Sequence, residues 1–548
     1  VQQALAGMEL VARLPKARVL YVSATGAVEV ENLVYAARLG LWGEGTAFST
    51  PANFMGGLAR AGMAGMEMIA RDLKSRGLYV SRNLSYADVE YDRMMHGLTP
   101  EQRASYNEMA RAWQIIFQNV NDVVRQHTGG KKSQTWSVFW GAQQRFFESV
   151  VTSMSMPTVL KSAEADIAAG HSVIFQLTKT GKAQQDRAVA AMEEGQELED
   201  IDLSPKETLI NFLMQYFPVQ QYEEYTDENG NRRTRPVVDS QGNPVLNQEA
   251  VAIRDELLQR IGAIQGIPTS PLNAIVQHWG QDMVAEVTAR SERIVYDSEG
   301  KLVKEAWSKA KGEKDVEAFM DGKKRVLVFS EAGGTGASYH ASKDKKNQQK
   351  RVHYLLQSGW NAVRAVQGLG RSHRSHQAQA PKFFLVTTDI KAQARFISTI
   401  ARRLDQLGAL TKGQRQAGSQ GIFQARDNLE NEYAREALVN FLLDLQANAI
   451  PGIDAHEFQN ATGVKLFEED PHTGEHTTPV QANNFPETPK FLNRALALEL
   501  DMQERVFDEF FQRIDGVITR HAENGTLDVG IETINGESVR VGSEQLVH

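Results

Sequence analysis

The stretch KRVLVFSEAGGTGASYHAS, residues 324–342, decides the fold class. Four apolar residues, Val326 to Phe329, run without a polar interruption into Ser330, and Gly333, Gly334 and Gly336 follow at once. An unbroken apolar run of this length reads as a strand covered on both faces. Glycines that follow such a strand let backbone N–H groups approach a phosphate closely, whether of a nucleotide or of a nucleic acid. A tight turn uses the same residues, so the stretch alone leaves both readings open.

Further runs of the same kind stand on either side. RVLYVSA (18–24), HSVIFQLT (171–178) and KFFLVTTD (382–389) each read as a buried strand. Helical patterns separate them. EVENLVYAARLGLWG (29–43) reads as a helix closed by glycine. LTPEQRASYNEMARAWQIIFQNV (98–120) opens with Thr99 as a cap, Pro100 in the first turn and Gln102 completing a capping box. TWSVFWGAQQRFFESVV (135–151) sets Trp136, Phe139, Trp140, Phe146 and Phe147 at mostly helical spacings. That stripe reads as core-facing in preference to a stacking platform for nucleic acid. Strands alternating with helices argue for an α/β fold with a parallel sheet covered on both faces.

Composition changes after the second strand. Residues from about 183 to about 275 hold an acidic tract and two turn signals, Asn229-Gly230 and Gly242-Asn243-Pro244, and read as a surface insertion carrying hairpins. From about 411 the pattern turns helical, in NEYAREALVNFLLDLQ (431–446) and LDMQERVFDEFFQRIDGVI (500–518), with a loop across 464–490. A hairpin turning at Asn535-Gly536 is expected near the end.

A chain of 548 residues, 41% hydrophobic and 23% charged, has the composition of an ordinary globular protein of roughly three or four compact units. It contains no run of roughly 18 or more apolar residues, so no membrane helix is expected. The absence of cysteine excludes disulfides, thiolate zinc sites and cysteine nucleophiles, and fits a reducing compartment. The formal net charge of −8 decides little, because a nucleic-acid binder can be acidic overall with its positive charge local. No basic leader precedes the first apolar stretch, and Val1 opens directly on a helix-like segment, so the sequence reads as part of a longer polypeptide.

The chemistry concentrates in QGLGRSHRSHQ (367–377), where Gln367, Gly370, Arg371 and Arg374 form Q-x-x-G-R-x-x-R. Two guanidiniums at this spacing suit the oxygens of one terminal phosphate, and such arginines stabilise charge that grows during phosphoryl transfer. A basic, solvated helix end is the other reading. His373 and His376 could suggest a metal, but no third ligand is evident and the basic neighbourhood opposes a cation, so no metal is expected. Ser23-Ala24-Thr25 closes the first strand candidate, where hydroxyls would face the open edge of a parallel sheet.

In the order Ser-Ala-Thr, glycine loop after a strand, Q-x-x-G-R-x-x-R, the three motifs resemble the later motifs of a superfamily-two helicase or translocase. Three further segments narrow the match: LPKARVLYVSATGAVEVENLVYAARLGLWGEGT, RRLDQLGALTKGQR, and FLNRALALELDMQERVFDEFF with NGTLDVGI. Together they resemble the Strawberry notch family of helicase-like proteins, from about residue 10 to about residue 531. That resemblance implies a RecA-like P-loop NTPase fold with a helical C-terminal extension. It also implies ATP with Mg²⁺ as cofactors and a nucleic-acid track, double-stranded DNA first, in a cytoplasmic protein of bacterial, phage or plasmid type. Ser23, Thr25 and Ser330 would couple nucleotide state to nucleic-acid grip. Gly333, Gly334, Gly336 and Ser338 would form a nucleotide loop with Gly370 near it, although Ser338 stands where the related motors carry Asn. Gln367, Arg371 and Arg374 would face ATP, with the two arginines on the γ-phosphate.

Two elements of such a motor are missing. No G-x-x-x-x-G-K-[ST] loop occurs, and no Asp-Glu box precedes the Ser-Ala-Thr segment. ATP and Mg²⁺ would therefore be bound mainly by an upstream domain. The expected division is 1–125 as the remainder of a first motor domain, 126–410 as the second, and 411–548 as the extension. Either this is half of an ATP-driven translocase, or a helicase fold kept as an interaction module without hydrolysis.

Overall fold

In chain order the strands of the computed structural model are β1 (Glu90–His96), β2 (Ser172–Leu177), the hairpin β3 (Tyr222–Thr226) and β4 (Arg232–Pro236), and β5 (Val284–Val287). They continue with the hairpin β6 (Glu292–Tyr296) and β7 (Leu302–Ala306), then β8 (Val326–Ser330), β9 (Arg351–Leu355), β10 (Lys382–Thr388), β11 (Phe467–Glu469) and β12 (His476–Pro479). The helices are α1 (Gln2–Arg13), α2 (Pro51–Ser75), α3 (Pro100–Gln126), α4 (Lys132–Ala168), α5 (Lys206–Tyr216), α6 (Gln248–Gly262) and α7 (Pro271–Trp279). After them come α8 (Lys309–Met320), α9 (Ala362–Leu369), α10 (Glu432–Gln446), α11 (Ala455–Thr462), α12 (Thr488–Ala495) and α13 (Leu500–Glu523). The structure describes residues 2–22, 33, 35–80, 88–126, 132–178, 205–226, 232–288, 290, 292–296, 302–330, 337–357, 362–394, 397–398, 428–429, 431–469 and 476–527.

Six strands form one sheet in the order β1-β10-β9-β2-β8-β5, every pair parallel. The apolar runs are explained by what covers them. Val173, Phe175 and Leu177 of β2, Val326 and Val328 of β8, and Val352 and Tyr354 of β9 cluster with Met156, Val159 and Ala163 of α4 and with Leu272, Ile275 and Val276 of α7. Ile174, Leu327 and Phe329 face the other way, into a cluster with Phe319 and Met320 of α8 and with Tyr339. Successive side chains of a strand point to opposite faces, so a strand covered twice has no place for a polar stripe. The fold is α/β, as the strand runs predicted.

Edge strand β1 was not legible as a strand. Its pattern is mostly exposed, and its charges pair sideways, Glu90 with Lys350 and Asp92 with Lys382. Charged edges of this kind resist pairing with other chains. The capping box formed as expected: Thr99 Oγ1 accepts from the Gln102 amide at 3.2 Å and Gln102 Oε1 accepts from the Thr99 amide at 3.1 Å.

The helical segment after 427 docks on α3. Tyr106 Oη donates to the Leu496 carbonyl at 2.8 Å, Arg111 Nη2 meets Glu499 at 2.6 Å, and the Leu500 amide donates to Asn107 at 2.8 Å. Phe441, Phe458, Phe491 and Phe510 fill the space between α10, α11, α12 and α13. The described residues fall into two compact units, one within 1–84 with 525–527, the other within 85–400 and 428–524. In the first, Phe54, Leu58, Met66 and Leu73 of α2 pack with Leu33, Ala36 and Leu41.

Several expectations change. Arg18–Val22 pairs with no strand among the described residues and leaves Leu20 and Val22 about four-fifths exposed. A strand takes its hydrogen bonds from neighbours, so an apolar run alone does not make one. Within 29–43 the described residues show 3₁₀ turns, at Leu33 and Tyr35 and again at Ala37–Leu39, the latter ended by Gly40 at φ +67°, and none of them is α-helical. The stretch expected as a surface insertion does carry β3–β4 and a turn with Gly242 at φ +84°. Yet its helices are built into the core: Leu209, Phe212, Leu213, Leu257 and Ile261 are buried, with Phe212 5.0 Å from the ring of Trp113. The aromatic stripe divides. Phe139 and Phe146 are buried against Trp113 and Phe147 against Tyr106, whereas Trp136 and Trp140 are half-buried beside Phe117. The loop expected across 464–490 contains the β11–β12 pair and the start of α12. The turn at Asn229-Gly230, the hairpin at Asn535-Gly536 and RRLDQLGALTKGQR lie outside the described residues, the last except in sequence.

Candidate functional site

The alternation that buries Phe175 and Tyr354 toward α4 turns Gln176, Arg351 and His353 to the opposite face, and all three are at most 1% exposed. Polar side chains buried there need partners. The segment 337–349, together with α9 and the turn after it, supplies them.

Arg351 ties that segment down. Its Nε donates to the Tyr339 carbonyl at 2.9 Å, and its guanidinium also reaches the Asn347 carbonyl at 2.8 Å, Asn347 Oδ1 at 3.0 Å and the Gln349 carbonyl at 2.8 Å. These are neutral acceptors. Burial, then the nearby Arg325, pulls its pKa down to about 9.

α9 approaches β2 through a glycine. Gln176 Nε2 donates to the Ala365 carbonyl at 3.2 Å, and a Cβ on Gly368 would stand 2.2 Å from that nitrogen. Past the helix, Ser372 Oγ lies 2.7 Å from His353 Nδ1 and 3.0 Å from the Leu369 carbonyl. Burial above all, with Arg371 adding to it, holds His353 down to about 3, so the ring is neutral.

Arg371 occupies the place between these contacts. Its carbonyl accepts from the Tyr339 amide at 2.7 Å, its Nη1 reaches the Ala337 carbonyl at 3.5 Å, and its guanidinium stands 5.5 Å from the centre of the Phe329 ring. Among the described residues no carboxylate is ion-paired with it. Burial lowers its pKa, Tyr339 opposes and Arg374 adds to the lowering. Tyr339 and His353 lie 5.3 and 5.8 Å from the same Phe329 ring. Arg371 Nε, Tyr339 Oη, His353 Nε2 and Gln176 Oε1 are all buried without a hydrogen-bond partner among the described residues. Burial pushes the Tyr339 hydroxyl up to about 12, so it remains a donor.

The expected residues are thus brought together in part. Arg371 and Gly370 are half-buried, Arg374 and Gln367 exposed, and the Arg374 amide donates to Gln377 Oε1 at 3.2 Å. Ser338 is half-buried between Ala337 and Tyr339, the two residues whose backbones hold Arg371, and Ser330 is buried at the end of β8. His373 turns to Gln377 at 3.1 Å and His376 to Asp344 at 3.0 Å. Among the described residues no cluster of three His, Asp or Glu could hold a metal. Ser23, Thr25, Gly333, Gly334 and Gly336 lie outside the described residues. Sequence reasoning missed Gln176, Arg351, His353, Tyr339 and Ser372. Its available signal was a polar residue inside an otherwise apolar buried strand, twice at a spacing of two in Arg351-x-His353.

Residues 270–533 match the family model described as the C-terminal domain on Strawberry notch homologue, and residues 1–108 match that of a P-loop containing NTP hydrolase. The chain belongs to the Strawberry notch-like, helicase-like family. It is 30% identical to Protein strawberry notch homolog 1 of Rattus norvegicus over 96% of this chain and 47% of that protein. Protein FORGETTER 1 of Arabidopsis thaliana is 28% identical over 96% of this chain and 51% of its own length. For Protein strawberry notch homolog 2 of Mus musculus the figures are 27%, 96% and 45%. This Strawberry notch-like chain therefore spans about half the length of the curated relatives it matches. No helix among its described residues is long and apolar enough to cross a membrane.

Proposed function

We propose that this chain supplies the arginine-bearing side of the ATP site in a nucleic-acid-dependent helicase or translocase. The observation that carries the reading is Arg371: a half-buried guanidinium 3.5 Å from the Ala337 carbonyl and 5.5 Å from the centre of the Phe329 ring, and, among the described residues, with an unpartnered Nε and no carboxylate ion-paired to it. A cation kept in this condition is complementary to an anion that arrives. Arg371 and Arg374 would take the terminal phosphate, Gln367 and Gly370 would shape the approach, and Ser338 with Gly333, Gly334 and Gly336 would border the nucleotide. Ser23, Thr25 and Ser330 would pass the nucleotide state to the track, double-stranded DNA. Because the sequence contains no Walker loop and no Asp-Glu box precedes the Ser-Ala-Thr segment, the phosphate cradle and the Mg²⁺ ligands would come from another part of the motor. In this proposal residues 1–125 carry the remainder of the first motor domain, although from residue 85 onward, with β1 and α3, they share a compact unit with the second, 126–410 form the second and 411–548 the extension, in a phage- or plasmid-encoded protein of the bacterial cytoplasm.

The test is steady-state ATP hydrolysis by the longer protein with double-stranded DNA, single-stranded DNA or RNA. Arg374→Ala is expected to lower turnover by roughly 10³ or more with much less change in nucleotide affinity. Unchanged turnover removes the arginine assignment. Absence of hydrolysis with every polymer, in a protein carrying both missing motifs, favours an interaction module.

A further inference from the structure

Trp136 and Trp140 stand one helical turn apart on α4, stacked with ring centroids 5.8 Å apart at 18°. Both rest on Phe117 of α3, at 5.3 and 5.4 Å. Their remaining surroundings are basic. Arg494 of α12 lays its guanidinium 3.3 Å from the Trp140 ring centre and donates to the carbonyls of Thr462 and Gly463 at 3.0 and 3.2 Å. Lys490, one turn earlier on the same helix, and Lys465 join it around a cleft of about 550 Å³. That size lies within the range of about 300–1,000 Å³ common to ligand sites.

Among the described residues none of these three cations is ion-paired, and Glu487, which follows the lining residue Pro486, is turned to Arg435 at 3.6 Å. Burial pulls Arg494 down to about 9, and burial with the neighbouring cations lowers Lys490. Three cations held together without a carboxylate are electrostatically unfavourable unless an anion joins them. The cleft depends on a close approach at Gly463, φ +63°, where a Cβ would come 2.4 Å from Phe117 and 2.7 Å from Arg494.

We propose that this cleft takes an unpaired nucleotide of a single-stranded nucleic acid, its base against the indoles and its phosphates at Lys465, Lys490 and Arg494. Aromatic wall plus cationic rim is the combination that holds single strands with little sequence preference. An acidic peptide would use the cations and leave the indole wall without a planar partner. A free nucleoside triphosphate would bring Mg²⁺, for which the described residues offer no carboxylate cluster. The proposal is independent of Arg371 and of ATP turnover.

The protein is titrated without ATP against a fluorescein-labelled thymidine oligonucleotide, reading anisotropy and tryptophan emission, with poly-glutamate and blunt duplex as competitors. Binding with quenched emission is expected. Trp136→Leu, which keeps an apolar contact and loses the ring, should weaken binding ~10-fold or more. The exposed pair Lys465→Glu/Lys490→Glu should weaken it and reduce the salt slope by ~1.4, two phosphate contacts fewer. Thermal melts establish that each variant is folded; should Trp136→Leu not fold, the lysine pair carries the test. Unchanged affinity in the folded variants, or poly-glutamate competing as well as the oligonucleotide, overturns the proposal.

Discussion

Gly368→Ala tests whether α9, and Arg371 with it, is seated by the contact with Gln176. The new methyl would lie 2.2, 2.4 and 2.5 Å from the three terminal atoms of that side chain. Gln176 is 1% exposed, so its amide cannot swing into water. It must retreat by more than an ångström and give up its 3.2 Å bond to the Ala365 carbonyl. Overpacking of a filled site costs about 1–3 kcal/mol, and an unmet buried amide adds about 1–3 kcal/mol. Alanine returns up to about 1 kcal/mol of helix propensity. The expected net loss is on the order of 2 kcal/mol, or more if the two costs add fully. Urea unfolding followed by circular dichroism measures it, and hydrogen exchange in β2 and α9 localises it. In a Gln176→Ala background the clash is absent, so Gly368→Ala should be neutral or stabilising by up to about 1 kcal/mol. A single Gly368→Ala variant as stable as the parent would refute the seating argument.

Other expectations follow from buried charge. Glu286 and Arg290 form a two-bonded pair at 2.6 Å with side chains at most 1% exposed, so Arg290→Met should cost about 3 kcal/mol by leaving the buried carboxylate only Thr288 and the more distant Arg293 at 4.0 Å, while a double change to apolar residues should cost much less. His353 has a folded-state pKa near 3, below the ordinary imidazole value, so protons bind preferentially to the unfolded chain. Its contribution is intact above about pH 6.5 and is lost as pH falls toward 3. His353→Leu should therefore show a stability slope between pH 6 and 5 shallower by up to about 1.4 kcal/mol per pH unit, measured by urea midpoints at each pH; equal slopes would contradict burial of a neutral ring.

How far the sequence could be read varied with the physics of each element. HSVIFQLT, KRVLVFS and KFFLVTTD announced buried strands because a strand covered on both faces must be apolar throughout. Thr99 and Gln102 announced a helix start because a capping box is local. By contrast β1 carries charge on an exposed edge, and Arg18–Val22 has the composition of a strand without a described neighbour to pair with. Helix α5 sits in polar surroundings along the chain, yet its Phe212 finds Trp113 and Phe139 across long separations.

The sequence by itself determined the α/β class, the family and the presence of two arginines three residues apart, since these rest on local pattern and motif order. Only the tertiary structure decided which face of the sheet is polar and which of the two arginines is held. Arg371 is fixed because Tyr339, Ala337 and Phe329, some thirty to forty residues away, close around it, whereas Arg374 is exposed. The same is true of the indole cleft: Trp140 and Arg494 meet because α3 gathers both ends of the unit, and no spacing along the chain records that distance.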